Sequence, residues 1–171
     1  LRKGQSLGVV TFNISQQTLI EDLLQTEFQK DQAFDAWANG GDEPLFIKNL
    51  ENVQGDERDV ILFSIAYGPD QEGRFSLNFG PLNRQGGWKR LNVAVTRARS
   101  EMVVFSSVTA DWIDLKRTRS KGVEALKHFL EFAEKGTIPP LAEGGTAGRP
   151  CGIRGQICSA LSQAGYRFQT D

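Results

Sequence analysis

Val60-Ile-Leu-Phe-Ser-Ile-Ala-Tyr67 is the stretch on which the fold turns. Apolar residues run through it almost without a break, the pattern of a strand covered on both faces rather than one with a wet side. Upstream, Gly8-Val-Val-Thr-Phe12 reads as a short buried strand, and Ile20, Leu23, Leu24 and Phe28 recur at helical spacing. Gly40-Gly-Asp-Glu-Pro44 breaks the chain, and Leu45-Phe-Ile-Lys-Asn-Leu50 is a further strand. Downstream, residues 68–87 form a long polar, glycine-containing insertion, expected as a loop or short hairpin. Met102-Val-Val-Phe-Ser106 supplies a fourth strand. Strands alternating with helices predict an α/β fold, a mainly parallel sheet with helices on both faces.

Between the third and fourth strands lies Arg90-Leu-Asn-Val-Ala-Val-Thr-Arg-Ala-Arg99. Wound as a helix at about 100° per residue, it gathers Leu91, Ala94, Val95 and Ala98 into one apolar sector. Arg90 and Arg97 then fall nearly above each other elsewhere, while Arg99 points away from both. A guanidinium backed by a packed helix can neutralise charge on a phosphoryl group, although an amphipathic helix with solvated arginines has the same pattern.

After Val108 the character changes. Lys116-Arg-Thr-Arg-Ser-Lys121 is a basic loop, and Val123, Leu126, Phe129, Leu130 and Ala133 make the stripe of a helix ending near Gly136. The sequence therefore divides into a sheet-bearing domain at 1–108, a short helical C-terminal extension at 109–138, a linker at 139–150, and the start of a further domain at 151–171. That last piece, with Ile157, Leu161 and Gly165-Tyr-Arg-Phe168, is too short to bury a core.

The 171 residues are 39% hydrophobic with a net charge of −1, the make-up of a globular protein without bulk attraction for a polyanion. Contact with nucleic acid would need a local stripe of charge. No run approaches the ~20 apolar residues of a membrane span. The beginning, Leu1-Arg-Lys-Gly-Gln, lacks a signal-peptide core and reads as an excised piece of a longer protein. Cys151 and Cys158 fit no zinc spacing and are expected as reduced thiols of a cytoplasmic protein. No metal site is expected. His128 is expected at the surface, and Trp37, Trp88 and Trp112 in packing roles.

Three blocks occur in a meaningful order: Gly8-Val-Val-Thr-Phe-Asn-Ile-Ser-Gln16, Val53-Gln-Gly-Asp-Glu-Arg-Asp-Val-Ile61 and Arg90–Arg99. They resemble motifs IV, V and VI of superfamily 1 helicases, in the branch that includes the RNA-surveillance helicase and its bacterial DNA-helicase relatives. The resemblance covers the second RecA-like domain of such enzymes. It implies that Arg97 is a γ-phosphate arginine finger, that Glu57 approaches the ATP ribose, and that Gly55 allows close backbone approach beside the nucleotide. Gln54 is placed in the same ATP-binding set, coupling it to the nucleic-acid path. Asp59 either shares that site or fixes its loop. Thr11, Asn13 and Gln16 would meet a phosphate backbone, although helix capping accounts for Asn13 and Ser15 equally well.

The chain has no Gly-x-x-x-x-Gly-Lys-[Ser/Thr] phosphate loop and no paired acidic magnesium motif. The resemblance places both in a first RecA-like domain of the same parent chain. ATP and Mg2+ are thus expected as cofactors of the parent, with the magnesium ligands outside this chain, and the fragment alone is expected to hydrolyse nothing. Residues 120–134 and 156–166 resemble the segment joining certain large bacterial helicases to a restriction-endonuclease-like domain, which favours single-stranded DNA over RNA as partner. The alternative is a non-catalytic RecA-like module that docks to a partner or nucleic acid without turnover.

Overall fold

The computed structural model of the chain describes residues 4–136. The expected linker at 139–150 and the segment at 151–171, with both cysteines, lie outside the described residues. Four strands, β1 (Leu7–Thr11), β2 (Phe46–Asn49), β3 (Arg58–Ile65) and β4 (Ala98–Ser106), form one sheet in the order β2-β1-β3-β4. Every pairing is parallel. Parallel neighbours need long connections. Helices α1 (Ile14–Lys30) and α2 (Gln32–Asn39) carry β1 to β2, and α3 (Gly87–Val95) carries β3 to β4. The two crossovers step in opposite directions along the sheet, so right-handed connection puts them on opposite faces. This is the expected RecA-like α/β architecture.

β3 fulfils the reading of its sequence: Val60, Ile61, Phe63 and Ile65 are buried, Leu62 and Ser64 half-buried. Register sets Val10 beside Phe63 and Phe63 beside Val104. On that face the sheet packs against α3 and against α4 (Lys121–Lys135), whose Val123, Leu126, Phe129 and Leu130 join the same core. Burying each such side chain contributes about 1.5–3 kcal/mol. Ser120 caps the start of α4, and Gly136, at φ +67°, ends it as expected.

Three expectations need correction. The decapeptide is not helical throughout, since α3 runs from Gly87 to Val95 and Ala98 begins β4. Leu91, Ala94 and Val95 are buried as the stripe required, but side chains consume the last carbonyls: Thr96 Oγ1 donates to Asn92 and Val93, and Arg97 Nε donates to Val93. Arg58 N–H then donates to Arg97 O at 3.1 Å, drawing the chain into the sheet. Arg90 and Arg97 therefore do not share a helix.

The stretch at 68–87 is a loop, as expected, with one short 3-10 turn at Gly80–Asn83, but it is not polar throughout. Asp70 closes a turn by accepting from the Glu72 and Arg74 amides, after which Phe79 and Leu82 are fully buried. Edge-on ring contacts run Phe12–Tyr67–Phe79–Phe75–Trp112, with centroids 4.8–6.1 Å apart. Lastly, α1 buries none of its residues; Leu23, part of its expected stripe, is 59% exposed. Ile20, Leu24 and Phe28 are only half-buried, because α1 touches little beyond β1, β2 and α2.

Candidate functional site

The expected functional residues gather at opposite ends of the parallel strands. The eight residues of β3, at about 3.3 Å each, separate the two groups.

Where β3 and β4 begin, Gln54, Gly55, Asp56 and Glu57 form the loop entering β3. Gly55 has φ +93°, and a Cβ added there would meet nothing within 4 Å. The turn itself needs glycine, and its outer side is open to an approaching molecule. Glu57 is exposed. Arg97 reaches the same loop. Its guanidinium donates to Val93 O at 2.8 Å, Thr96 Oγ1 at 3.1 Å and Asp56 O at 3.5 Å. All three acceptors are neutral, so a half-buried positive charge stands beside the turn with no carboxylate on it among the described residues. Gln54 faces sideways, into a cleft of about 580 Å³ between Leu50–Glu51 and the Lys89, Arg90 and Val93 flank of α3.

Arg99, two residues on, serves a separate cluster. It pairs with Glu43, with Asp59 at 3.2 Å and with Ser6 Oγ at 2.9 Å. Asp59 also accepts from the Ser6 amide at 2.9 Å, and that hydrogen bond holds its carboxyl below the usual range. The hydrogen bond from Arg99 does the same for Glu43. These contacts tie the start of β1, the α2–β2 loop, β3 and β4 together, and Asp59, inside β3, holds Ser6 and Arg99 rather than the loop that precedes it.

At the other end, register aligns Asn49, Thr11 and Ser64 in a polar row across β2, β1 and β3. The first turn of α1 covers this row. Gln16 Nε2 donates to Ser64 Oγ at 2.6 Å, and Asn49 Nδ2 donates to Gln17 Oε1 at 2.8 Å. Thr11 is fully buried and its hydroxyl donates to Asn13 O. Asn13 is the N-cap, its Oδ1 accepting from Gln16 N at 2.9 Å. Tyr67, partnered by the Asn13 side chain, has its phenol pushed up by burial. Gln16 Oε1 is buried without a partner. The structure thus brings Thr11, Asn13 and Gln16 together and adds Asn49, Gln17 and Ser64, which sequence reasoning missed. The available signal was Asn49 closing the short strand Phe46–Asn49.

His128 is half-exposed and 3.3 Å from Glu131. Among the described residues no group of three His, Cys, Asp or Glu side chains could hold a metal ion, and no helix is long and apolar enough to cross a membrane.

The four-stranded parallel sheet with helices on both faces is that of a RecA-like α/β domain. A family model described as an AAA domain matches residues 1–109, and the chain belongs to that family. It is 38% identical over 135 residues to an uncharacterised ATP-dependent helicase of Mycoplasma genitalium, an alignment covering 76% of this chain and 12% of that protein. The homologue in Mycoplasma pneumoniae matches to the same extent. Over 65 residues the chain is 42% identical to a Drosophila melanogaster protein described as "Probable RNA helicase armi", covering 36% of this chain and 5% of that one. The chain therefore spans about an eighth of the Mycoplasma proteins. No solved structure gives a significant match.

Proposed function

We propose that this chain is the second RecA-like domain of a superfamily 1 helicase or translocase, working in a parent protein that hydrolyses ATP to move along single-stranded nucleic acid, with DNA favoured. The observation that carries the reading is the meeting of Arg97 with the Gly55–Glu57 turn, its guanidinium hydrogen-bonded only to neutral acceptors among the described residues. The residues present fit one wall of an ATP site: an open glycine turn, an exposed carboxylate for the ribose hydroxyls and a planar cation for the phosphates. ATP would supply a transferable γ-phosphoryl group, with Mg2+ ligands in another part of the parent.

Each residue then has a stated task. Arg97 leaves its weak carbonyl partners for phosphate oxygens, a charge-assisted exchange that neutral acceptors resist little. Glu57 accepts from the ribose, and Gly55 keeps side-chain bulk out of the cleft. Gln54, on the cleft along α3, links this end to the nucleic-acid path. Asn13 and Gln16 meet the strand, with Thr11 behind them as support.

The test is single-strand-stimulated ATP hydrolysis by the parent protein. Arg97→Ala is expected to lower turnover about 10³-fold with little change in nucleotide affinity. Arg97→Lys keeps the charge without the fork and should recover only part of that loss. Unchanged turnover in Arg97→Ala at matched folding stability would remove the finger and leave the docking module as the reading.

A further inference from the structure

Arg84, Lys89, Arg119 and Lys121 line one cleft of about 470 Å³, and no acidic residue lines it with them. In a chain of net charge −1 this is a local concentration of one sign. Lys89, Arg119 and Lys121 have no ion-pair partner among the described residues, and Arg84 has only an exposed one, Glu51 at 3.4 Å. Both helices on this side of the sheet begin here. A Cβ on Gly87 or on Gly122 would collide with the Leu82 carbonyl oxygen, so the two glycines let the helix starts sit side by side. Their dipoles add partial positive charge to that of the four side chains, although the Gly87 and Lys89 amides already donate to the Arg84 and Gly86 carbonyls.

The geometry points to a nucleic-acid backbone as the occupant, and we propose that Lys89, Arg119 and Lys121 form a second phosphate-contact track for the translocated strand. A polymer is favoured over a free phosphate by shape. This cleft shares Gln85, Gly86 and Lys89 with the neighbouring cleft that leads past Arg90 to Gln54. The two make one elongated path along α3, in which Lys89 and Arg90 outnumber the one acidic lining residue, Glu51, and it ends beside the Gly55 turn. The strand would thereby touch the element that joins the cleft to Arg97. The proposal rests on the reading of the parent as a nucleic-acid motor.

The experiment is fluorescence anisotropy of labelled dT20 and rU20 with the full chain across a salt series, for wild type, Lys89→Glu/Lys121→Glu and Lys30→Glu/Lys135→Glu. The last pair makes the same change of net charge on α1 and at the far end of α4. The cleft pair is expected to weaken binding tenfold or more and to flatten the salt slope by about 1.4, two phosphates' worth on a single strand. The loss should be equal on dT20 and rU20, since phosphate contacts carry no base or sugar information. Equal effects of the two pairs, a loss confined to one oligonucleotide, or no binding by wild type at 50 mM salt would each overturn it. Circular dichroism of each variant separates lost binding from lost fold. The two readings fail separately: unchanged hydrolysis in Arg97→Ala removes the finger and leaves this binding comparison as it stands.

Discussion

The two faces of the sheet are built to different standards. On one, α3, α4 and the stretch at 75–82 close over Val10, Phe12, Ile61, Phe63 and Ile65, all essentially without exposure. On the other, no residue of α1 is itself buried, although Val9, Thr11 and Val60 on the sheet are, and Ile14, Leu19, Leu23 and, on β4, Phe105 are each more than half exposed. A helix can therefore be well formed, capped by Asn13 and seventeen residues long, yet contribute little packing. Stability resides in the first face. The second face carries polar contacts, the Asn49–Thr11–Ser64 row, where tight apolar packing would leave no polar groups to offer.

The largest break in this comparison should come from truncating the packed face. Phe63→Ala is expected to cost about 3–5 kcal/mol in urea denaturation, against less than about 0.5 kcal/mol for Leu23→Ala on the exposed one. Similar costs for both would mean that the exposed face is packed in solution. Gly122→Ala tests the junction of the two helix starts. Its methyl group would push against the Leu82 carbonyl and the Gly87 backbone, neither of which can turn aside, so a loss of about 1–3 kcal/mol is expected, and a neutral result would refute the close approach.

A smaller, pH-dependent effect should mark the Arg99 cluster. The carboxyls of Asp59 and Glu43 are both held below their ordinary values in the folded state. Their contribution is complete above the unfolded value of about 4 and is lost as pH falls through the lower folded value. Asp59→Asn should therefore melt below wild type at pH 7, with the gap narrowing as the pH is lowered from about 4 towards 2. A gap that stays constant over that range would show that charge on Asp59 is not what the cluster uses.

Much of this was legible in order along the chain. The near-continuous apolar run of β3 required two covered faces, and that requirement, with alternating helices, selected a parallel sheet. Leu91, Ala94 and Val95 were legible as core because their spacing holds however α3 ends. The end of α3 was not legible: Thr96 and Arg97 stop it with side-chain hydrogen bonds and a pairing to β3 that no local pattern encodes. Phe75, Phe79 and Leu82 were hidden because their apolar character is diluted by glycine, asparagine and arginine. The polar row at the ends of β1, β2 and β3 depends on register between strands up to fifty-three residues apart in sequence, Thr11 to Ser64.

Sequence by itself determined the class of fold, the three motif blocks and the residue types able to meet phosphate, ribose and backbone, because those follow from periodicity and local chemistry. Tertiary structure alone decided who stands beside whom. It set Arg97 against Asp56 rather than above Arg90, and gave Arg99 to Glu43 and Asp59. It also gathered Lys89, Arg119 and Lys121 around two helix starts thirty-four residues apart. Side chains distant in the chain share a field only when packing removes the distance, and that packing is fixed by the glycines and core rings that hold the elements together.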